Sequence, residues 1–275
     1  MPATVAAANA NVNVSVSVNA ETTERRAWQL VLDRVELDLL SGRLGPGDHL
    51  PPERQLATEL SVGRSSVREA IRVLEVLGLI RTSVGSGPSA GAIIVALPGG
   101  GMSALMRLQV AAQGFPVADV VKTRLVLEGS VVAELAERCA RVHAAQAGTC
   151  DATDETCPNL TEAVVLLAAM DRPELTEAEF LALDAQFHLS LAEASGNQVV
   201  TATMAGLRSA IEGYARAGLA GLVSWPVTSA RLRLEHRAIL TAITDGDPKA
   251  AQSAVQAHIS GYYAETQLTP PSLPL

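Results

Sequence analysis

The pattern of apolar and polar positions in the first hundred residues predicts three helices followed by two short strands. Apolar residues recur every three or four positions in 23–40 and in 65–77, and Pro52 suits the first turn of a shorter helix between them. Short β-type runs at 79–84 and 92–95 flank a glycine-rich tip. This order of elements predicts a winged helix-turn-helix, a fold whose third helix enters the major groove of DNA.

The rest of the chain keeps a helical period. No segment after Pro116 alternates apolar and polar residues as a strand does. The pattern therefore predicts a mainly α protein, in which an N-terminal winged helix-turn-helix precedes a C-terminal all-helical antiparallel bundle. The predicted helices of the bundle span residues 117–146, 160–170, 177–194, 197–221, 227–244 and 247–265.

These elements divide the chain into five segments. Residues 1–23 have low complexity and almost no charge, which predicts a disordered leader. Pro and Gly residues punctuate 98–115, which we interpret as a linker with a short apolar helix, and we interpret 267–275 as a loose tail. The two predicted domains are the winged helix-turn-helix at 24–97 and a helical effector-binding and dimerisation domain at 116–266.

The charge balance excludes a uniformly basic nucleic-acid-binding protein. The 275 residues include 21 Lys and Arg against 29 Asp and Glu, which gives a formal charge of −8. The balance is uneven, because residues 25–97 hold nine arginines against eight acidic residues, whereas the remainder is acidic. Any contact with a polyanion should therefore lie in the first hundred residues.

Neither the cysteines nor the apolar runs indicate an exported or membrane protein. Cys139, Cys150 and Cys157 are odd in number and have no CxxC spacing, which fits neither a disulfide framework nor a zinc ribbon. The N-terminus has no basic region ahead of an apolar core. The longest clean apolar run, 163–170, is far shorter than the roughly 20 residues that span a bilayer. We expect a cytoplasmic protein with no membrane partner.

Three arginines recur at every fourth position of the third predicted helix. Arg64, Arg68 and Arg72 lie opposite its apolar face and form a cationic stripe that could bind phosphates and guanine edges. The alternative is an ordinary solvated helix face, on which Glu69 and Glu75 lie nearby. The position of this helix directly after a tight turn favours DNA binding.

Four polar residues interrupt apolar helix stripes in the second half of the chain. Asp184 and His188 fall within the stripe of one helix, one turn apart, and His236 and His258 fill missing steps in two later helices. Inward carboxylates and imidazoles need partners, and one divalent cation would satisfy all four. The alternative is that each histidine is a core residue bonded to a carbonyl. The absence of a Cys ligand favours Zn, Ni or Mn at a borderline site over a structural zinc.

A charged pair occupies the inward face of the helix predicted at 117–146. Glu128 fills a vacant step in its apolar stripe, and Arg124 lies one turn earlier. The pair could simply neutralise itself. Alternatively, the Arg124 guanidinium faces a cavity and binds a carboxylate in bidentate fashion.

Four motifs in the first domain resemble the DNA-binding domain of GntR-family bacterial transcriptional regulators. They are GPGDHLPPERQL (45–56), SVGRSSVREA (61–70), LEVLGLI (74–80) and GSG (85–87). The resemblance implies that Arg54 of the second helix, and Arg64, Ser65 and Arg68 of the third, contact DNA. Gly85 at the wing tip would enter the minor groove. One departure is Gly63, where the family usually has Ser or Thr, so a hydroxyl that could bind phosphate is missing.

The second half resembles the metal-binding version of the ligand-sensing FCD-type domain of the FadR subfamily. The resemblance is carried by the Arg124–Glu128 helix, DAQFH (184–188), SGN (195–197), Glu235-His236 and the final His258. It implies that Asp184, His188, His236 and His258 bind the metal. It also implies that Arg124, Glu128 and Asn197 contact the effector.

Together these observations predict a metabolite-responsive DNA-binding regulator, which we expect to be a repressor. A homodimer would bind a palindromic double-stranded operator, and a small organic acid in the helical domain would alter the spacing of its two DNA-binding domains. One alternative is a metal-dependent enzyme that uses the His/Asp site, and another is a helical scaffold with a structural metal. The first domain favours the regulator, because an enzyme would not need it.

Overall fold

The structure is a computed structural model. It describes residues 26–83, 91–95, 100–112, 115–147 and 157–266. The predicted leader and tail lie outside the described residues, and so do Gly85 and Cys150. Within the described ranges, no helix is both long and apolar enough to cross a bilayer.

Three helices and a two-stranded hairpin form the first part, which confirms the predicted winged helix-turn-helix. The elements are α1 (Ala27–Leu40), α2 (Glu53–Glu59), α3 (Arg64–Val76), β1 (Ile80–Ser83) and β2 (Gly91–Ile94). The strands pair in antiparallel fashion, with Ile80 opposite Ile94 and Ser83 opposite Gly91. The predicted start of α1 at Thr23 lies outside the described residues.

The packing of α3 determines which of its faces is free. Val67, Ala70 and Leu74 are buried in the cores that α3 forms with α1, α2 and the hairpin. Leu77 continues the apolar period of the helix predicted at 65–77, but it is 42% exposed. It lies just past the end of α3, where the chain turns at Gly78 with a φ of 73°. The opposite face of α3 is left to solvent.

Helices alone form the rest of the described chain, which confirms the predicted all-helical second part. They are α4 (Gly100–Ala111), α5 (Val117–Gln146), α6 (Thr161–Met170), α7 (Glu177–Ser195), α8 (Gln198–Gly218), α9 (Trp225–Thr244) and α10 (Pro248–Glu265). A 3-10 turn, Leu219–Gly221, follows α8, so this helix is shorter than predicted. The largest core cluster joins α5, α7, α9 and α10 around buried Leu135, Phe180, Phe187, Ile239 and Ile259.

α4 lies in the segment predicted as a linker, yet it packs along α8. This close approach needs Gly206, because a Cβ there would lie 2.8 Å from the Cβ of Met106 and 3.2 Å from the Cα of Ser103. The Ser103 hydroxyl also donates to the Ala202 carbonyl at 3.2 Å. The short helix expected in this segment is therefore present and packed, while the division of the chain into domains stays a prediction.

Candidate functional site

The cationic face predicted on α3 is exposed to solvent. Five side chains predicted to contact DNA or to belong to the arginine stripe are exposed: Arg54, Arg64, Ser65, Arg68 and Arg72. Arg68 Nε donates to Glu53 Oε2 at 2.9 Å, so Arg68 lies beside the α2 residue that precedes Arg54. An exposed ion pair of this kind contributes at most about 1 kcal/mol. A DNA phosphate can therefore replace Glu53 as the partner of Arg68.

The first turn of α3 has no side-chain cap, because its N-cap residue is Gly63. Gly63 has φ −68° and ψ 145°, a conformation that any residue can adopt. A Cβ at this position would lie 3.4 Å from Ser65 Oγ, which is an ordinary contact. Steric hindrance therefore does not explain why this position has Gly instead of Ser or Thr. The first backbone N–H groups of α3 are left available to an anion such as phosphate.

One carboxylate ties the hairpin to α3. Glu75 Oε1 accepts hydrogen bonds from Thr82 Oγ1 at 2.6 Å and from the Thr82 backbone N at 3.0 Å. These two hydrogen bonds lower the pKa of Glu75, so the carboxylate is ionised at neutral pH. The wing and the helix that carries the arginines are thereby held in a fixed relation.

The structure brings the four predicted metal ligands together. Asp184 and His188 on α7, His236 on α9 and His258 on α10 are all buried, and one ligand atom from each lies within 4.8 Å of the others. Asp184 Oδ1 is 3.0 Å from His236 Nε2 and 3.6 Å from His258 Nε2. In the described part of the chain, no other group of His, Cys, Asp or Glu side chains meets this criterion. The arrangement has the size and donor types of a site for one divalent cation.

Side-chain caps define where α7 and α10, two of the three helices that carry these ligands, begin. Thr176 and Glu179 form a capping box at the start of α7, in which the Thr176 hydroxyl accepts from the Glu179 N–H at 3.3 Å. Asp247 caps α10 by accepting from the Ala250 N–H at 3.0 Å. Between the helices, the Phe187 ring packs edge-on against the His236 ring with centroids 4.8 Å apart. The histidine rings are therefore held by packing before any ion is considered.

Two further carboxylates determine which ring nitrogen of His188 and of His258 carries the proton. Glu235 Oε2 lies 3.0 Å from His258 Nδ1, and Glu128 Oε2 lies 2.6 Å from His188 Nδ1. The contact of His188 is off the ideal hydrogen-bond direction, but at this distance it is attractive only if Nδ1 carries a proton. Both Nε2 atoms then present lone pairs, and they face each other at 3.1 Å. Only a shared proton or a cation makes that approach favourable.

His236 gives the clearest indication that the four side chains share a ligand. Both of its ring nitrogens are buried and have no hydrogen-bond partner among the described residues, although Nε2 is 3.0 Å from Asp184 Oδ1. Burial lowers the pKa of His236 to about 4, so its ring is neutral at pH 7 and can act as a ligand. Nε2, which faces Asp184, is the nitrogen through which the ring would bind an ion shared with that carboxylate. The residues present therefore fit a metal ion.

The charges of Asp184 and His258 are coupled in the metal-free cluster. Burial alone would raise the pKa of Asp184, but His236 and His258 hold it well below its ordinary value. Burial alone would lower the pKa of His258, but hydrogen bonds to Asp184 and Glu235 raise it overall. A cation at this point would therefore compete with the proton that Asp184 and Glu235 favour on His258.

Arg124 and Glu128 form a buried pair beside the cluster. Arg124 Nε donates to Glu128 Oε1 at 2.7 Å, while Glu128 Oε2 faces His188. Burial would raise the pKa of Glu128, but Arg124 and His188 lower it to about 2. Both oxygens of Glu128 therefore face protein partners, which leaves none for the effector contact predicted for this residue. Arg124 Nη2, by contrast, has no hydrogen-bond partner in the described residues.

A small cavity of about 10 Å³ adjoins the cluster, roughly the space that one water occupies. Arg124, Asp184 and His258 line it together with Tyr262 and Tyr263, and apolar side chains of α7, α8, α9 and α10 complete the wall. The cavity connects the guanidinium predicted to bind a carboxylate with two of the predicted metal ligands. Any ligand larger than water requires these helices or their side chains to move.

Asn197 does not reach this cavity. It is exposed at the N-cap of α8, where its Oδ1 accepts from the backbone N–H groups of Val199 and Val200 at 3.2 Å each. The helix cap accounts for this residue, so the effector contact predicted for Asn197 has no support in the structure.

Sequence reasoning missed the roles of Glu235 and Tyr263. The sequence marks Glu235 only as the neighbour of His236, yet Glu235 orients His258 of another helix. Tyr263 was not considered, and it lines the cavity. Local periodicity gives no signal for either role, because each depends on which helices become neighbours.

The fold and the site define a class of protein: a winged helix-turn-helix DNA-binding domain with exposed arginines joined to a helical domain with a buried polar site. Two family models match the chain. The model described as "Bacterial regulatory proteins, gntR family" matches residues 29–88, and the one described as "FCD domain" matches residues 119–261.

Curated relatives agree with these matches. The HTH-type transcriptional repressor NanR of Klebsiella aerogenes is 32% identical over 256 residues, which cover 86% of this chain and 84% of the relative. The Glc operon transcriptional activator of Escherichia coli K12 is 28% identical over 231 residues, with 84% and 85% covered. Among solved structures, "Streptococcus agalactiae GntR" shares the fold with a TM-score of 0.51 and 23% identity, covering 86% of this chain and 97% of that one. The chain therefore belongs to the GntR family of bacterial regulatory proteins, and it is a transcriptional regulator rather than an enzyme.

Proposed function

We propose that this regulator senses a small organic acid through a divalent metal ion held in its helical domain. The observation that carries the proposal is the convergence of four buried ligand atoms within 4.8 Å, two of them on imidazoles backed by carboxylates. A carboxylate behind a ligating histidine is the usual outer support of a protein metal site. Family membership accounts for DNA binding, and the buried site would bind the small molecule that regulates it.

The metal would be held by Asp184 Oδ1 and by Nε2 of His188, His236 and His258. Imidazole and carboxylate donors suit Zn, Ni or Mn, and four protein ligands leave one or two positions open on a five- or six-coordinate ion. When bound, the ion supplies a Lewis acid that an effector oxygen can coordinate.

The effector would be a small carboxylate whose charge is bound by Arg124. Arg124 Nη2 is buried, without a partner among the described residues, and adjacent to the metal ligands. A guanidinium is a strong and directional donor to a carboxylate. Because the cavity holds only about one water, entry of the acid must separate side chains of α5, α7, α9 and α10. This movement is the physical link by which an effector changes the conformation of the helical domain.

On the DNA side, a homodimer in the cytoplasm would bind a palindromic operator, with one winged domain in each half-site. Arg54, Arg64, Ser65 and Arg68 would contact DNA, and Gly85, which lies outside the described residues, would do so at the wing tip. We propose repression as the default activity, since relatives named as repressors include NanR of Klebsiella aerogenes. The Escherichia coli relative named as an activator makes the sign of regulation an outcome to be measured.

Metal analysis of the purified full chain tests the proposal. We expect up to one Zn, Ni or Mn ion per chain, and we expect the His188→Ala/His236→Ala variant to lose it while it still binds DNA. The exposed His143 of α5 supplies the matched control, since His143→Ala should retain the metal. Full metal retention by the double variant would refute the ligand assignment.

A further inference from the structure

The chain has three tyrosines, and only two of their hydroxyls have partners among the described residues. Tyr214 donates to the Phe115 carbonyl at 2.9 Å, and Tyr262 donates to the Ala215 carbonyl at 2.7 Å. Tyr263 is 1% exposed, yet its hydroxyl has no hydrogen-bond partner in the described part of the chain. A buried hydroxyl without a partner is costly, so its retention needs an explanation.

A second buried donor without a hydrogen-bond partner within the described ranges lies near the Tyr263 hydroxyl. Arg124 Nη2 is a second buried donor without a partner among the described residues, and both side chains line the same cavity. The Arg124 guanidinium lies close enough to Tyr263 to offset part of the rise that burial causes in the pKa of the hydroxyl, but neither Arg124 Nη2 nor the Tyr263 hydroxyl has a partner with full hydrogen-bond geometry in the described part of the chain. Two unused donors thus converge on one small space, whose other polar walls are Asp184 and His258.

We propose that the Tyr263 hydroxyl is a second effector contact, which forms with Arg124 Nη2 a two-donor clamp for one carboxylate group of the ligand. The inference rests on the proposed function, because it assigns a specificity-determining residue to the same site. A carboxylate offers two oxygens that only accept hydrogen bonds, which matches two donors. The corresponding amide turns an NH₂ group toward one of these donors. The clamp therefore selects carboxylates against their amides.

The clamp also gives a partner to the part of the Arg124 guanidinium that Glu128 does not bind. Glu128 engages Arg124 only through Nε, so the guanidinium is held in place while Nη2 remains free. The Tyr263 hydroxyl approaches from α10, the helix that also carries His258. A carboxylate bound by the clamp therefore contacts α5 and α10 at once, immediately beside the metal ligands.

The test compares Tyr263→Phe with Tyr214→Phe in the full, zinc-loaded chain. The probes are acetate, lactate, pyruvate, oxalate and malonate, with acetamide and lactamide as neutral counterparts, and binding is measured by calorimetry. Tyr263→Phe should weaken carboxylate binding about ten- to a hundred-fold, the usual loss for a hydrogen bond to a charged group. The zinc affinity should stay unchanged, and the amides should not bind. Tyr214→Phe should bind the carboxylates as the wild type does.

A second readout separates a ligand contact from a structural hydroxyl. In metal-free protein, Tyr263→Phe should have the same Tm as the wild type or a higher one, because it removes an unpartnered buried hydroxyl. Tyr214→Phe should have a lower Tm, because it removes a made hydrogen bond. A drop in Tm for Tyr263→Phe comparable to that of Tyr214→Phe would overturn the proposal.

Three other results would also overturn the clamp. They are unchanged carboxylate affinity in Tyr263→Phe, equal binding of lactate and lactamide, and no binding of any of the five acids to the zinc-loaded wild type. Sensing itself is tested separately, by the change that an organic acid causes in DNA affinity. If an acid releases DNA equally from wild type and Tyr263→Phe, the sensor stands and the clamp falls.

Discussion

Replacing Glu128 by Gln is a sharp test of the buried polar site, because it removes one charge and preserves the shape. In the structure, Glu128 accepts from Arg124 Nε at 2.7 Å and faces His188 Nδ1 at 2.6 Å. An amide can serve only one of these two donors with its single oxygen and must turn its NH₂ group toward the other. The substitution therefore leaves a buried arginine charge uncompensated and loosens a ligating imidazole.

Two magnitudes follow from this geometry. Loss of an outer carboxylate typically lowers metal affinity ten- to a hundred-fold, which corresponds to about 1.4–2.8 kcal/mol. Removal of one partner of a buried ion pair costs about 3–5 kcal/mol of folding free energy. The two effects are separable, because the first is measured on folded protein and the second by unfolding metal-free protein.

The assay is a competitive zinc titration against a chromophoric chelator, followed by urea unfolding in the presence of EDTA. Glu137→Gln is the matched control, since Glu137 is an exposed residue of the same helix. Glu137→Gln should leave both quantities within about 0.5 kcal/mol of the wild type, as is usual for surface substitutions. If Glu128→Gln binds zinc as tightly as the wild type does, Glu128 does not support His188 and the reasoning is wrong.

Four further results are expected. Arg68→Ala should weaken operator binding by about 1–3 kcal/mol if Arg68 contacts a base, or reduce the salt dependence of binding if it contacts phosphate. Anisotropy titrations at several salt concentrations distinguish these two outcomes. No effect on DNA binding would exclude Arg68 from the interface. Gly63→Ser should stabilise α3 by a few tenths of a kcal/mol in chemical unfolding, because the backbone already suits a serine cap, and a loss of stability would contradict this. Zinc affinity should rise with pH, because the hydrogen bonds to Asp184 and Glu235 raise the pKa of His258 and a proton therefore competes with zinc there. A flat pH profile would argue against His258 as a ligand. EDTA should lower the Tm of the wild type but leave that of His188→Ala/His236→Ala unchanged, since an ion that binds only the folded state stabilises it.

Helical periodicity carried much of the sequence-based prediction. It placed Asp184, His188, His236 and His258 on inward faces, and each of them is buried. It succeeded because a helix buried on one side has a fixed apolar stripe, so a polar residue within the stripe must point inward. Whether four such residues meet at one point depends on helix packing, which the structure supplied and the period did not.

The residues whose roles the sequence patterns assigned wrongly or did not reveal share one physical explanation. Asn197 lies near the ligands in sequence, but its side chain caps α8. Glu235 and Tyr263 acquire their roles from contacts between helices that are distant in sequence. Leu77 follows the apolar period of α3, but the helix ends before it. Sequence patterns define the faces of single elements, whereas caps, helix ends and contacts between elements decide what each face meets.

The measurement that tests the central claim most directly is DNA affinity in the presence and absence of a short organic acid. The assay is fluorescence anisotropy with an operator selected from a random duplex library, and it compares zinc-loaded wild type with His188→Ala/His236→Ala. The account predicts that at least one short carboxylate changes the DNA affinity of the wild type, that EDTA abolishes this effect, and that the double variant binds DNA without responding. An equal response in the double variant, or in wild type treated with EDTA, would contradict sensing through the metal.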